Sequence, residues 1–140
     1  MQPWCLVTPL PQSELVDQTD GVAPDVLVVD DEPAVADTAA EILRTAGFTP
    51  LTAHDVEGAL ALAGRHAFKV FVLDHRLGPD TCEPILEHAE DLPPVVIVSA
   101  APPDDLMDVA RRHQKVVSVK SKPCAPAELI ETVREAIAST

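Results

Sequence analysis

Aromatic side chains are scarce in this sequence: they make up 3% of its 140 residues, and tyrosine is absent. A core for one domain of this length must therefore be built from aliphatic residues, which are ample, since 46% of the chain is hydrophobic. No apolar run approaches the length of about 18 residues that a membrane-spanning helix needs, so no membrane segment is predicted.

Basic residues are also few, with 10 Lys and Arg against 23 Asp and Glu and a formal net charge of −13. This balance argues against binding to nucleic acids or to anionic membrane surfaces, because both attract basic proteins. The three cysteines, Cys5, Cys82 and Cys124, are unclustered, which favours a reducing cytoplasm over disulfides or a zinc site. The N-terminus has no basic region, so no signal peptide is predicted.

Residues 1–24 differ in composition from the rest of the chain. They contain four prolines and three acids but no Lys or Arg, so we predict a flexible N-terminal tail. Trp4, Leu6 and Val7 form its one apolar patch, and the sequence leaves open whether this patch is unstructured or docks on the domain or on a partner. The folded domain is predicted to span residues 25–140.

Short apolar runs alternate with amphipathic stretches from Asp25 onward. We predict five strands, at 26–29, 51–53, 70–74, 95–98 and 116–119. Five helices are predicted at about 33–46, 55–65, 83–89, 104–113 and from 126 onward. Strict alternation of strands and helices is typical of an α/β fold with a parallel sheet covered on both faces.

Polar residues gather where the predicted strands end. Asp30 and Asp31 follow strand one, Asp74 ends strand three, Ser99 ends strand four, and Lys122 comes shortly after strand five. Because the carboxyl ends of parallel strands share one edge of the sheet, these side chains are expected to converge in a crevice there.

Three carboxylates in one crevice repel one another: two of them about 4 Å apart cost about 4 kcal/mol at an effective dielectric constant of 20. Either one acid is protonated or a cation is bound, and a hard divalent ion such as Mg²⁺ suits oxygen ligands best. The ion and Lys122 would hold the oxygens of a phosphoryl group, Ser99 would donate a hydrogen bond to it, and Asp74 would attack its phosphorus.

Taken in order, these motifs resemble the receiver domain of bacterial two-component response regulators. The resemblance covers about residues 25–138 and implies a flavodoxin-like (βα)5 doubly wound parallel sheet with strand order 2-1-3-4-5. Its motifs are the runs 26–33, 70–74 and 96–100 and the pair Lys122-Pro123. With no output domain following the last predicted helix, we expect a stand-alone receiver, monomeric or weakly dimeric, that acts on a downstream protein partner.

The resemblance also implies roles for individual residues. Asp74 would accept a phosphoryl group from a histidine kinase or a histidine phosphotransfer protein, and the protein would catalyse nothing beyond its own phosphorylation and dephosphorylation. Asp31, Asp74 and the backbone carbonyl of Arg76 would bind Mg²⁺, and Asp30 would act mostly through water. The Lys122–Pro123 peptide bond is expected to be cis.

Three departures from the family are visible in the sequence. Val119 stands where the family usually has Tyr or Phe, so the usual aromatic switch is expected to be altered or weaker. The stretch between Asp74 and Ser99 is short, which predicts a short or irregular third helix. Arg76 lies two positions after Asp74, where it is expected to affect dephosphorylation.

Two other functions stay open at this point, together with simpler interpretations of single residues. The chain could be an adaptor that signals without phosphate or, less consistently with its motifs, a phosphatase that uses Asp30 as nucleophile and Glu32 as acid. An Asp pair after a strand is often only a helix cap. Cys82 is predicted to be buried, His75 is assigned no catalytic role, and the other histidines are expected on the surface.

Overall fold

The apolar runs form strands of a parallel sheet in the computed structural model, which describes residues 22–89 and 91–139. The described residues form seven strands: β1 (Val26–Val29), β2 (Pro50–Ala53), β3 (Val70–Leu73), β4 (Arg76–Leu77), β5 (Asp80–Thr81), β6 (Val95–Ser99) and β7 (Val116–Ser121). Five of them lie in the order β2-β1-β3-β6-β7, and all four pairings between these neighbours are parallel. The predicted flavodoxin-like sheet is therefore confirmed.

Helices cover both faces of this sheet. They are α1 (Pro33–Thr45), α2 (Val56–Arg65), α3 (Glu83–His88), α4 (Pro103–Arg112) and α5 (Pro126–Ala138). Val26 and Val28 of β1 pack in one core with side chains of α1 and α5, whereas Leu27 and Val29 pack in a second core with α2, α3 and α4. Because both faces are buried, every residue of β1 is apolar.

The helix boundaries lie close to the predicted ones. Gly47 ends α1 as expected: its φ of +95° is in the left-handed region, which glycine adopts at little cost, and its N–H donates to the Arg44 carbonyl. Helix α4 begins at Pro103, one residue before the predicted start, so Asp104 lies in its first turn. Helix α3 has only six residues, which confirms the short third helix.

The antiparallel hairpin of β4 and β5 was not predicted. It occupies the connection between β3 and α3 and reverses at Gly78, whose φ is +65°. Two-residue strands carry no periodic pattern, so the sequence indicated only a turn here.

Most of the predicted tail lies outside the described residues, and its boundary at residue 24 stays a prediction. Pro24 is buried, and the side chain of Asp25 accepts a hydrogen bond from the N–H of Thr49 at 2.8 Å. Within the described ranges, no helix is both long and apolar enough to cross a bilayer.

Asp55 caps the N-terminus of α2, where its Oδ1 accepts a hydrogen bond from the N–H of Gly58 at 2.7 Å. We expect Asp55→Ala to lower the free energy of unfolding by about 1 kcal/mol, because a backbone donor loses its partner. Urea denaturation measures this loss. Asp37→Ala on the exposed face of α1 is the matched control and should stay within about 0.5 kcal/mol of wild type. Equal losses in both variants would contradict the capping role.

Candidate phosphoryl-binding site

The candidate site lies where the chain changes direction across the sheet. Strands β1 and β3 are neighbours, but β2 lies on the outer side of β1 and β6 on the outer side of β3. Asp30 directly follows β1 and Asp74 directly follows β3. The Asp74 N–H donates to the Val29 carbonyl at 2.9 Å, so pairing between the strands continues up to the acid. Such a switch point is the usual ligand crevice of a doubly wound sheet.

The ammonium of Lys122 joins Asp30, which is buried, to Asp74, which is partly buried. Its Nζ donates to Oδ2 of Asp30 at 2.6 Å and to Oδ2 of Asp74 at 3.1 Å. The side chains are 24%, 6% and 11% exposed, respectively. The Lys122 N–H donates to the Ser99 carbonyl at 2.9 Å, which places the loop after β7 beside the end of β6. The Lys122–Pro123 bond is cis, as predicted.

Two opposing effects set the pKa of Lys122. Burial alone lowers this pKa, but the hydrogen bonds to Asp30 and Asp74 and the charges of these carboxylates outweigh burial and raise it above its ordinary value. A raised pKa in the folded state stabilises the protein below the unfolded lysine pKa of about 10.4, and this contribution is lost as the pH rises through the folded value. Lys122 is therefore charged at neutral pH.

The β4–β5 hairpin contacts the other side of the site through its backbone. The N–H of Gly78 donates to Oδ2 of the exposed Asp31 at 3.1 Å, and the N–H of Arg76 donates to Oδ1 of Asp74 at 3.3 Å. Since neither bond involves a hairpin side chain, no residue type in the sequence predicts either bond. The hairpin thereby orients two of the three acids.

Ser99 is 1% exposed at the end of β6. Its Oγ accepts a hydrogen bond from the N–H of Ala101 at 3.2 Å, which leaves the hydroxyl hydrogen available to another acceptor. Ser99, Asp31, Asp74 and Arg76 line a common cleft of about 210 Å³. The structure thus brings all the predicted site residues to one edge of the sheet.

The donor set fits a hard cation. One carboxylate oxygen from each of Asp30, Asp31 and Asp74 lies within 4.8 Å of the others, and all three are oxygen donors of the kind that Mg²⁺ and Ca²⁺ prefer. Asp30 already uses one oxygen for Lys122 and the other for the N–H of Glu32 at 3.0 Å. Both oxygens of Asp74 are also bonded, to Lys122 and to the N–H of Arg76, but Asp74 and Asp31 line the cleft whereas Asp30 does not. Asp31 and Asp74 are therefore the better placed ligands for an ion in the cleft.

Two histidines, His54 and His75, lie next to residues of the site. His54 is exposed, as predicted, but its Nδ1 lies 3.2 Å from the carbonyl oxygen of Asp30. His75 is buried, with Nδ1 3.9 Å from the Sγ of Cys82, and Cys82 is buried as predicted.

The expected surface position is wrong for His113, which is 16% exposed and lies 3.2 Å from Glu83. Burial alone raises the pKa of Glu83, but hydrogen bonds from Arg112 and His113 outweigh burial and hold that pKa below its ordinary value. The network joins α3 to the end of α4, away from the candidate site.

The sequence profile of the family described as the response regulator receiver domain matches residues 26–134. The chain belongs to this family. The matched residues include every strand of the sheet and most of α5. The three acids, Ser99 and Lys122 of this receiver domain all fall within the match.

Individual relatives agree with this assignment. Over 107 residues, this receiver domain is 35% identical to the alginate biosynthesis transcriptional regulatory protein AlgB of Pseudomonas aeruginosa, a match covering 74% of this chain and 24% of that protein. The chain therefore spans about a quarter of this relative's length.

Solved structures share the fold. The receiver domain of NtrX from Brucella abortus is 29% identical, with a TM-score of 0.73 over 83% of this chain and 100% of that chain. A CheY-like receiver domain protein from Methanospirillum hungatei JF-1 has a TM-score of 0.76 at 21% identity, over 84% of this chain and 96% of that chain.

Proposed function

We propose that this receiver domain is a phosphorylation switch in which Asp74 accepts a phosphoryl group from a phosphohistidine. The donor is a histidine kinase or a histidine phosphotransfer protein. A carboxylate oxygen of Asp74 forms the new P–O bond while the P–N bond of the phosphohistidine breaks, and the leaving imidazole takes up a proton. The observation that carries this proposal is the Lys122 ammonium, which lies 2.6 Å from Asp30 and 3.1 Å from Asp74.

The chain's own residues provide charge and positioning for this transfer. Lys122 places a positive charge beside the oxygen of Asp74, where the negative phosphoryl oxygens would arrive. The hydroxyl of Ser99, whose oxygen already accepts from Ala101, donates to one of them. Preorganised donors of this kind need no rearrangement when charge develops, so they contribute strongly to phosphoryl transfer.

Mg²⁺ would be held by Asp31, Asp74 and the backbone carbonyl of Arg76. When bound, the ion supplies positive charge that draws the phosphoryl oxygens to the site and offsets the repulsion among the acids. Asp30 would contribute through water, a role supported by its position outside the lining of the cleft that Asp31, Asp74 and Arg76 share.

The two other functions have less support. A phosphatase with Asp30 as nucleophile needs a carboxylate that substrate can reach, yet the Asp30 side chain is only 6% exposed and does not line the cleft that Asp74 lines. Glu32, the second acid of that hypothesis, is exposed. The hypothesis of an adaptor that signals without phosphate rests on Val119, which is half-buried on β7 opposite Ile97. Valine lacks the aromatic ring that moves in the usual switch of the family. We propose a cytoplasmic location and a downstream protein partner for the phosphorylated state.

Intact mass after incubation with Mg²⁺ and acetyl phosphate tests the proposal. We expect a gain of one phosphoryl group that disappears in Asp74→Asn and on chelation of Mg²⁺. Asp80→Asn on the exposed hairpin strand β5 is the matched control and should keep the gain. No gain in the wild type would contradict the proposal in favour of the adaptor, and sustained release of phosphate from small phosphate esters would contradict it in favour of a phosphatase.

Arg76 is expected to protect the acyl phosphate from water. Its exposed side chain starts two residues after Asp74 and lines the cleft. We expect Arg76→Ala to shorten the lifetime of phosphorylated Asp74 several-fold, because a cation that obstructs the mouth of the cleft is removed. Decay of the phosphorylated mass after removal of the donor measures the lifetime. Lys115→Ala removes an exposed cation outside the cleft and is the control, for which the lifetime should not change. If Arg76→Ala has the same lifetime as the wild type, Arg76 does not protect the acyl phosphate.

A further inference from the structure

An apolar groove of about 540 Å³ lies between α1 and α5. Val28 and Val72 of the sheet form its floor, and Val35, Ala39, Ile42 and Leu129 are among the side chains of its helix walls. At one end it reaches Lys122 and Cys124. Its volume falls within the range of about 300–1,000 Å³ that is typical of ligand pockets. Apolar surface exposed to water is unfavourable, so binding of an apolar segment that covers the groove would lower the free energy.

We propose that residues 3–10 of the same chain dock in this groove, with Trp4 as the anchor. Residues 1–13 contain no charged side chain in a chain whose net charge is −13, and they contain its single tryptophan. Trp4, Leu6, Val7 and Leu10 together offer apolar side chains to an apolar cavity. A large aromatic anchor gains most from such burial.

The segment can reach the groove without crossing the sheet. The Asp25 N–H donates to the carbonyl of Thr49, just after α1, so the chain enters the domain beside the end of α1 that carries Ile42. From Leu10 to Val22 there are 12 steps (22 − 10), which span at most about 40 Å. The 13 residues of α1 extend over only about 20 Å.

Charge disfavours a second copy of the protein as the occupant. The exposed residues of α1 and α5 include five acids against two bases, a net charge of −3 (2 − 5): Asp37, Glu41, Glu128, Glu131 and Glu135 with Arg44 and Arg134. Two copies packed through this face would bring like charges together, whereas an uncharged segment avoids this repulsion.

Fluorescence of Trp4 is the first test, because no other tryptophan contributes. In the native protein we expect emission at shorter wavelength, and weaker quenching by acrylamide, than in urea. Thr38→Arg places a guanidinium in the groove wall and should return both values to those of an exposed indole. Thr45→Arg is the matched control: both threonines are exposed on α1 and donate their hydroxyls to its carbonyls, but Thr45 lies outside the groove lining.

Cysteine cross-linking is the second test. Cys5 adjoins Trp4 and Cys124 lines the groove, while burial raises the pKa of the Cys82 thiol to about 12 and keeps it unreactive. Copper–phenanthroline with dioxygen, at mildly alkaline pH, takes two protons and two electrons from two thiols. We expect an intramolecular Cys5–Cys124 disulfide, detected as the loss of two hydrogens in the intact mass and located by peptide mapping.

The variant Thr38→Arg shows whether the cross-link depends on docking in the groove. Thr38→Arg should slow disulfide formation about tenfold, which corresponds to a loss of about 1.4 kcal/mol in docking, and Thr45→Arg should not slow it. Equal rates in the three proteins, a disulfide that joins two copies of the chain, or native emission equal to that in urea would each overturn the proposal. Cys5→Ser and Cys124→Ser must each abolish the product.

Discussion

Lys122→Met is expected to lower the free energy of unfolding by about 3 kcal/mol, since removing the cation leaves two carboxylates that are largely shielded from water without a compensating charge. The side chains of Asp30 and Asp74 are 6% and 11% exposed, and Lys122 is the cation that contacts both. The same change should slow phosphorylation of Asp74 by about 100-fold or more, as expected when a preorganised charge at the reacting group is lost. Urea denaturation and the initial rate of mass gain measure the two effects.

Lys120→Met is the matched control for this prediction. Lys120 lies two residues earlier and pairs with Glu128 at 3.4 Å, but the two side chains are 33% and 48% exposed. Exposed pairs contribute at most about 1 kcal/mol, and this pair involves none of the three clustered acids. Similar losses in the two variants, or unimpaired phosphorylation of Lys122→Met, would show that Lys122 does not have the proposed role.

Phe71→Ala is expected to lower the free energy of unfolding by about 4 kcal/mol, the cost of a large cavity in a packed core. Phe71 is 2% exposed on β3 at the centre of the sheet. Its ring meets that of Phe68 edge to face, with 5.9 Å between the centroids. Phe68 is the one other aromatic residue among the buried members of this core, so no further ring is at hand to fill the space.

Phe48→Ala provides the comparison for Phe71→Ala, because Phe48 is half-buried at the margin of the other core. Urea denaturation of both variants should show a clearly smaller loss for Phe48→Ala, since less surface is returned to water. A loss below about 2 kcal/mol for Phe71→Ala would mean that the core collapses around the missing ring.

The fold could be predicted from the sequence because its strands are buried on both faces. Runs such as Val70–Leu73 are apolar throughout, and their alternation with amphipathic helices leaves few arrangements other than a doubly wound sheet. The site could be predicted for a related reason. Asp30, Asp74 and Ser99 each sit at the end of a strand or directly after one, so the order of the strands brings them together.

Contacts between residues distant in sequence could not be predicted in this way. The N–H of Gly78 reaches Asp31 across 47 positions, and His113 reaches Glu83 across 30. Every residue except proline has the same backbone N–H, so the sequence does not show which N–H binds a side chain. A histidine can pair with any acid that tertiary packing places beside it. The groove between α1 and α5 likewise depends on how the two helices pack, which neither helix's periodicity encodes.

The identity of the residue that carries the phosphoryl group tests the account most directly. After phosphorylation with acetyl phosphate and Mg²⁺, borohydride reduces an acyl phosphate to an alcohol, and peptide sequencing by mass spectrometry locates the modified side chain. We predict that the modification lies at Asp74 alone, in the peptide that contains β3 and the hairpin. Modification of Asp30 or Asp31 in place of Asp74, or phosphate found on a histidine, would contradict the account.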